Sequence, residues 1–304
     1  MERLHVYLNS DDRLFSFQPE DFSHFQLAHP EVALIFLQSE AELMNALPDI
    51  EYLDTWFFEN DWFKRAQNLK EIFTPAAGKD YVQTHPDVVV RFGTFHGQLM
   101  AETTLGLILN FSLRLPEFRK QQETYVWQRL PLKLLRNQTA IILGYGSIGQ
   151  VCGELLNRLG MKVIGVKRQP ATKTAGEVEL ISVTDLQQRL PEADHIVSFL
   201  PGGTSTESFI SKELLKLMSP EAHFYNLGRG TTVDEEALLA ALQNHELAGA
   251  ALDVTEIEPL PSESGLWTHP RVQILPHTSA YFEEYRSAHV TELTDIISSL
   301  KQMK

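Results

Sequence analysis

Three residues in the C-terminal half of the chain have side chains suited to anion binding and proton transfer. They are Arg229 in "NLGRGTTVDEEALLAAL", Glu258 in "GAALDVTEIEPLP" and His277 in "RVQILPHTSA". A guanidinium is a planar fork that matches a carboxylate. An imidazole titrates near neutrality and can pass a proton, and a neighbouring anion keeps it charged until the proton is needed. Each of the three follows an apolar run that reads as a buried strand, which puts it at the edge where open α/β sheets bind ligands. Taken singly, each has a plainer reading: Arg229 in a polar turn, Glu258 in an acidic loop, His277 as one of 11 histidines. Their order and spacing weigh against those readings.

A fourth stretch, "TAIILGYGSIGQ", places Gly144, Gly146 and Gly149 between a strand and a helix. Gly144 permits a tight turn, Gly146 lets backbone approach a pyrophosphate, and Gly149 lets helix and strand pack closely. With a strand on either side, the pattern predicts a dinucleotide site. The second strand, "VIGVKRQP", ends in Lys167, 18 residues after Gly149, and Arg168 follows. A ribose-binding carboxylate is expected at that place; two cations there would instead attract a 2'-phosphate. The pair therefore predicts NADP(H) as the preferred cofactor, with NAD(H) possible, and the plainer alternative is a solvated strand end.

The elements that must carry these residues follow from alternation along the chain. At 304 residues there is length for two domains. The runs "LHVYL", "VALIFL", "LDTWFF", "LKEIFT" and "VVVRF" predict a small parallel α/β unit. From Thr139 the strand candidates are "TAIILG", "KVIGV", "HIVSFL", "HFYNLG", "GAALDV" and "VQILP", separated by helical segments. Strands of nearly continuous apolar residues suit a sheet covered on both faces. Residues 98–118 read as one long helix, and the C-terminal "AYFEEYRSAHVTELTDIISSLKQMK" as an amphipathic helix returning to the first domain.

Composition narrows the function classes. A formal net charge of -14 repels nucleic acid and anionic membrane. No apolar run has bilayer length, and "MERLHVYLNS" shows no basic-then-apolar leader, so a cytoplasmic protein is expected. Cys152 alone makes neither an internal disulfide nor a cysteine metal site and is expected to be a small packed thiol.

Together, "LLRNQTAIILGYGSIGQ", the N-x-x-R-G-x-x-V-D-E-x-A-L run, the L-D-V and E-P-L-P run and the late P-H resemble the D-isomer-specific 2-hydroxyacid dehydrogenase family over most of the chain. The basic pair, "YVWQRLP" and "VVVRFGTFHGQLMAE" resemble its glyoxylate/hydroxypyruvate reductase branch. The resemblance implies α/β architecture with two Rossmann-like domains. A flavodoxin-like substrate domain would comprise residues 1–98 plus 279–304, and an inserted doubly wound dinucleotide-binding domain residues 99–278. It implies an NADPH-dependent reductase of a small 2-oxo acid working in an interdomain cleft, a homodimer built around the long helix near residues 98–118, and no metal.

By the same resemblance Arg229 binds the substrate carboxylate and polarises the 2-oxo group, His277 is the general acid, and Glu258 is its partner, with Glu256 the nearest rival. Ser147 and Ile148 lie against the pyrophosphate, Pro201 and Thr206 beside the cofactor, and Leu227 and Asp253 near the nicotinamide. Ala77 and Gly78 in "TPAAGKD" would offer backbone N–H groups to the substrate carboxylate, or else form an ordinary turn. Trp127 and Tyr281 are candidates to line the pocket. The segment Arg91 to Gly97 departs from the family's usual phrasing, so the far end of the substrate stays open. A different class of protein, a cofactor-sensing scaffold of the kind found among transcriptional co-repressors that resemble this family, also fits the fold; rapid turnover of an oxo acid separates the two.

Overall fold

The structure is a computed structural model and describes residues 1–302. The chain forms two compact units, one of residues 1–96 with the residues from 281 onward, the other of residues 97–280. The crossings thus fall at 96/97 and 280/281, against 98/99 and 278/279 expected from the sequence.

In the first unit, strands β1 (Arg3–Tyr7), β2 (Ala33–Phe36), β3 (Tyr52–Thr55), β4 (Glu71–Thr74) and β5 (Val89–Phe92) form a parallel sheet in the order β2-β1-β3-β4-β5. This is the flavodoxin-like order. Helices α1 (Ser23–Ala28) and α2 (Glu40–Ala46) join the early strands, and α1 packs on the C-terminal helix, Tyr285–Gln302. The start of α2 is written in "SEAE": Ser39 Oγ accepts the Glu42 N–H at 3.2 Å while Glu42 accepts from the Gln38 N–H at 2.8 Å. Deep in the unit, the fully buried Asp54 of β3 accepts from His289 Nε2 at 2.9 Å. That hydrogen bond ties the C-terminal helix to the sheet.

The second unit holds β6 (Thr139–Leu143), β7 (Lys162–Lys167), β8 (Thr174–Ala175), β9 (Val178–Ser182), β10 (His195–Ser198), β11 (His223–Asn226), β12 (Gly249–Leu252) and β13 (Val272–Ile274). Their order is β13-β12-β11-β10-β6-β7-β9-β8, parallel throughout except for β8 against β9. Its helices are α3 (His96–Ser112), α4 (Leu115–Glu123), α5 (Ser147–Arg158), α6 (Leu186–Arg189), α7 (Lys212–Leu215) and α8 (Glu235–Gln243). Strand side chains alternate between two cores. Ile141, Leu143, Ile164 and Ile196 enter one, while Ala140, Ile142, Val163 and Val197 enter the other. Both faces are therefore dry, which explains why these strands read as unbroken apolar runs. Cys152 is buried in the second core, where desolvation pushes its thiol up to about 12. No described helix is long and apolar enough to cross a membrane.

One expectation is corrected, and one element is new. The segment 98–118 is not one helix: α3 ends at Ser112, Arg114 takes a left-handed φ of 53°, and α4 begins at Leu115. Pro116 has no N–H to donate to the Ser112 carbonyl, and its ring would collide there. The freed carbonyl accepts instead from the Lys133 N–H at 3.0 Å. The hairpin β8–β9 was absent from the sequence reading. It turns at Gly176, φ 59°, and β9 extends the sheet beyond β7.

Candidate active site

Strand β6 pairs with β7 on one side and β10 on the other, so the chain order reverses between β6 and β10. Beyond the carboxyl ends of strands at such a reversal lies the ligand crevice of an open α/β sheet. Gly144 leaves β6 with φ 82°, and a Cβ on it would lie 2.9 Å from the Phe199 carbonyl oxygen in the loop after β10. Gly149, inside α5, would bring a Cβ to 2.5 Å from the Gly144 oxygen. Gly146 differs. It is the N-cap of α5 at φ -89°, ψ -155°, and a Cβ there would meet no atom within 4 Å.

Neither backbone conformation nor packing thus demands glycine at 146. What a side chain would fill is the space over the N-terminus of α5, where first-turn N–H groups, among them those of Ser147 and Ile148, have no intrahelical partner. That combination fits a dinucleotide pyrophosphate. Between the glycines, Tyr145 is 2% exposed. Its ring fills a notch made by Gly165 of β7 and Gly153 of α5, where a Cβ would come to 2.5 and 2.7 Å from the ring. Burial raises its phenol to about 12. The sequence reading missed this role; glycines at 153 and 165, inside apolar elements, were the available signal.

Lys167 ends β7, half-buried, and Arg168 stands exposed beyond it. The Arg168 Nη2 lies 3.4 Å from Ser205 Oγ, in the loop after β10. Both cations therefore sit on the edge that carries the glycine loop. In the β10 loop Pro201 is exposed, and the buried Thr206 donates through Oγ1 to the Pro201 oxygen at 2.6 Å, which closes the loop. Leu227, after β11, is 2% exposed within the second core, and its N–H donates to the Ser198 oxygen at 3.0 Å.

Arg229, Glu258 and His277 follow β11, β12 and β13. The Arg229 carbonyl accepts from Thr232 Oγ1 at 2.6 Å and from Asn226 Nδ2 at 3.1 Å, both side chains fully buried. The backbone is thereby held without using the guanidinium, whose Nη1 donates to the Gly228 oxygen at 2.9 Å. Asn226 and Thr232 are further residues that sequence reading passed over.

The Glu258 Oε1 accepts the Thr255 N–H at 3.2 Å, and its Oε2 lies 2.7 Å from His277 Nδ1. An ionised carboxylate only accepts, so Nδ1 carries the hydrogen and Nε2 is the atom left for a reactant. Glu256, the rival from the sequence, is exposed and only its backbone is engaged, through Glu235.

His277 adopts a left-handed φ of 51°, rare for a residue with a Cβ. Asp253 sustains it. Its carbonyl accepts the His277 N–H at 2.8 Å, and its buried carboxylate accepts from the N–H groups of Thr278 at 2.7 Å and Ser279 at 3.1 Å. The side chain expected beside a nicotinamide is thus occupied with the His277 turn.

In the first unit, Ala77 and Gly78 lie half-buried in the loop after β4. The Tyr285 hydroxyl donates to the Pro75 oxygen of that loop at 3.1 Å, and the Gly93 N–H donates to the Ala76 oxygen at 3.0 Å. Tyr281 donates to Asp12 Oδ1 at 2.8 Å. In the second unit Trp127 is fully exposed.

Comparison with known proteins identifies the family of the chain. The family described as "D-isomer specific 2-hydroxyacid dehydrogenase, NAD binding domain" matches residues 105–279, more than half of the chain. A D-isomer specific 2-hydroxyacid dehydrogenase from Xanthobacter autotrophicus Py2, solved with NADPH and MES, has a TM-score of 0.84 at 27% identity, covering 98% of this chain and 95% of that one. A family protein from Aeromonas salmonicida subsp. salmonicida A449 has 0.76 at 30% identity, with 98% and 97% covered. An NADPH-dependent glyoxylate/hydroxypyruvate reductase from Sinorhizobium meliloti, in complex with NADP and sulfate, has 0.82 at 27% identity, with 99% and 96% covered. The chain accordingly belongs to the D-isomer specific 2-hydroxyacid dehydrogenase family and is an NAD(P)-dependent oxidoreductase.

Proposed function

We propose that this enzyme reduces a small 2-oxo acid, glyoxylate or hydroxypyruvate, with NADPH to the D-2-hydroxy acid. The observation that carries the reading is the His277–Glu258 pair at 2.7 Å, in the loop neighbouring that of Arg229. A nicotinamide cofactor, when bound, would supply the hydride for the C2 carbon. The Arg229 fork holds the carboxylate and draws electron density towards the 2-oxo oxygen. His277 delivers the proton from Nε2 to that oxygen as the carbonyl π bond breaks, and Glu258 steadies the imidazolium through Nδ1–H. Lys167 and Arg168 attract the cofactor's 2'-phosphate. The small substrate is supported by the likeness to the Sinorhizobium meliloti reductase. Ala77 and Gly78 are assigned to offer backbone N–H groups to the carboxylate.

The test is initial-rate oxidation of NADPH and NADH with glyoxylate, hydroxypyruvate, pyruvate and a branched 2-oxo acid. The small acids with NADPH should turn over fastest, and Arg229→Ala should lower kcat/KM by about 10³-fold. Near-normal turnover in R229A would sink the assignment of Arg229.

The reading includes a homodimer. Tyr125, Trp127 and Leu134 are 96%, 100% and 79% exposed on a segment that lacks regular structure from residue 126 to 134, and a second copy of the chain is its proposed cover. Sedimentation velocity should read a dimer; a monomer at micromolar concentration rules that cover out.

A further inference from the structure

The loop that carries Glu258 is held by a residue outside the Arg229, Glu258 and His277 set. Helix α8 already has its cap, since Asp234 Oδ1 accepts the Ala237 N–H at 2.9 Å. The next side chain, Glu235, serves another purpose: its Oε1 accepts the backbone N–H of Glu256 at 2.6 Å. Within the loop, the Thr255 N–H donates to Glu258 and Thr255 Oγ1 donates to the Ile257 oxygen at 2.8 Å, so residues 255–258 form one tight turn. On the Arg229 side this turn has no slack, because a Cβ on Gly230 would lie 1.9 Å from the Thr255 carbonyl. Packing thus blocks one direction of movement, and Glu235 holds the turn through its middle.

We propose that Glu235 is a positioning residue that fixes the Glu258 carboxylate against His277 Nδ1 by holding the Glu256 amide. The proposal rests on the reading of Glu258 and His277 given above. Glu235 is half-buried, and its carboxyl is raised by that burial and by the charges of Glu256 and Glu258, while the Glu256 N–H works the other way. A carboxylate at this place is electrostatically expensive, and its hydrogen bond to the loop is what offsets the cost.

The test compares Glu235→Gln, Glu235→Ala, Glu258→Gln and the double variant E235A/E258Q. Glutamine keeps a carbonyl oxygen for the Glu256 N–H, so E235Q should retain kcat within about twofold. E235A should lower kcat about tenfold with KM for NADPH unchanged, because Glu258 drifts from its partner. In the E258Q background the same alanine should cost less than about twofold, since the group it positions is already disabled. Wild-type kcat in E235A with an impaired E258Q, or losses that multiply in the double variant, would overturn the positioning role alone. Full activity in E258Q would overturn both this role and the catalytic reading beneath it. Glu235→Met, which keeps the stem and removes the acceptor, gives the same discrimination if the alanine variant does not fold.

Discussion

Replacing Gly146 by alanine separates what the fold needs from what a ligand needs. At φ -89° alanine is unstrained, and its methyl would meet no atom within 4 Å. Restricting the unfolded chain stabilises by ~0.4–1 kcal/mol. Alanine is a poorer N-cap than glycine by roughly 0.5–1 kcal/mol. The two nearly cancel, so the melting temperature should stay within about 4 °C of wild type. Cofactor binding should respond differently. A methyl in that space holds the pyrophosphate off the α5 amides, and losing one or two charge-assisted hydrogen bonds at roughly 1.5–3 kcal/mol each weakens Kd by tenfold to beyond 10³-fold. Thermal melts with and without NADPH, together with NADPH fluorescence titration, read both quantities. Gly149→Ala is the contrast, because its Cβ would sit 2.5 Å from the Gly144 oxygen, and it should destabilise by roughly 1–3 kcal/mol. Wild-type NADPH affinity in G146A would refute the phosphate cradle. Destabilisation of G146A equal to that of G149A would refute the claim that the fold leaves this glycine free.

Two further outcomes follow from the charges. Exchanging Lys167→Asp and Arg168→Ser should lower the NADPH-over-NADH ratio of kcat/KM by about 10²-fold or more, the sum of two lost phosphate contacts; an unchanged ratio demotes the pair to a solvated strand end. His195 is locked between the Tyr225 hydroxyl at 2.9 Å and Gln138 Oε1, and burial holds its pKa down to about 3, and that of the adjoining His223 to about 4. Below the ordinary value of 6.5 the unfolded chain takes up protons that the folded chain refuses. Their contribution is therefore complete above that pH and is lost as pH falls towards about 4 for His223 and about 3 for His195, at up to ~1.4 kcal/mol per pH unit for each histidine. Urea midpoints between pH 7.5 and 5 measure it, and a His195→Gln variant with an undiminished slope would contradict the assignment to His195.

Eleven strands were legible as apolar runs, those of the second sheet most clearly, because burial on two faces erases the polar alternation that makes half-exposed strands ambiguous. Pro116 was visible too, yet its weight was underestimated: whether a proline ends a helix depends on who accepts the freed carbonyl, here Lys133, 21 residues away from Ser112. The hairpin β8–β9 was missed since β8 is two residues long and β9 carries Glu179 inside it.

At the site, residues whose chemistry is intrinsic, such as Arg229 and His277, stand out by type together with their order and spacing along the chain. Residues that act by position could not. Nothing in "VDEEAL" tells that Glu235 reaches a backbone amide 21 residues on, and nothing near Asp253 tells that its carboxylate is spent on Thr278 and Ser279. Those facts exist only once β11, β12 and β13 lie side by side.

The Tyr145 ring in its notch bears on how this chain can change over generations. A larger residue at 153 or 165 has no room while the tyrosine is present, and a smaller residue at 145 leaves a void that alanine at 153 could begin to refill, whereas at 165 Leu180 would still stand 2.8 Å from a Cβ. The three positions, contributed by a loop, a helix and a strand, are bound to drift as a set. A glycine loop transplanted from a relative with a different residue at 145 would therefore need its own partners at 153 and 165 to travel with it.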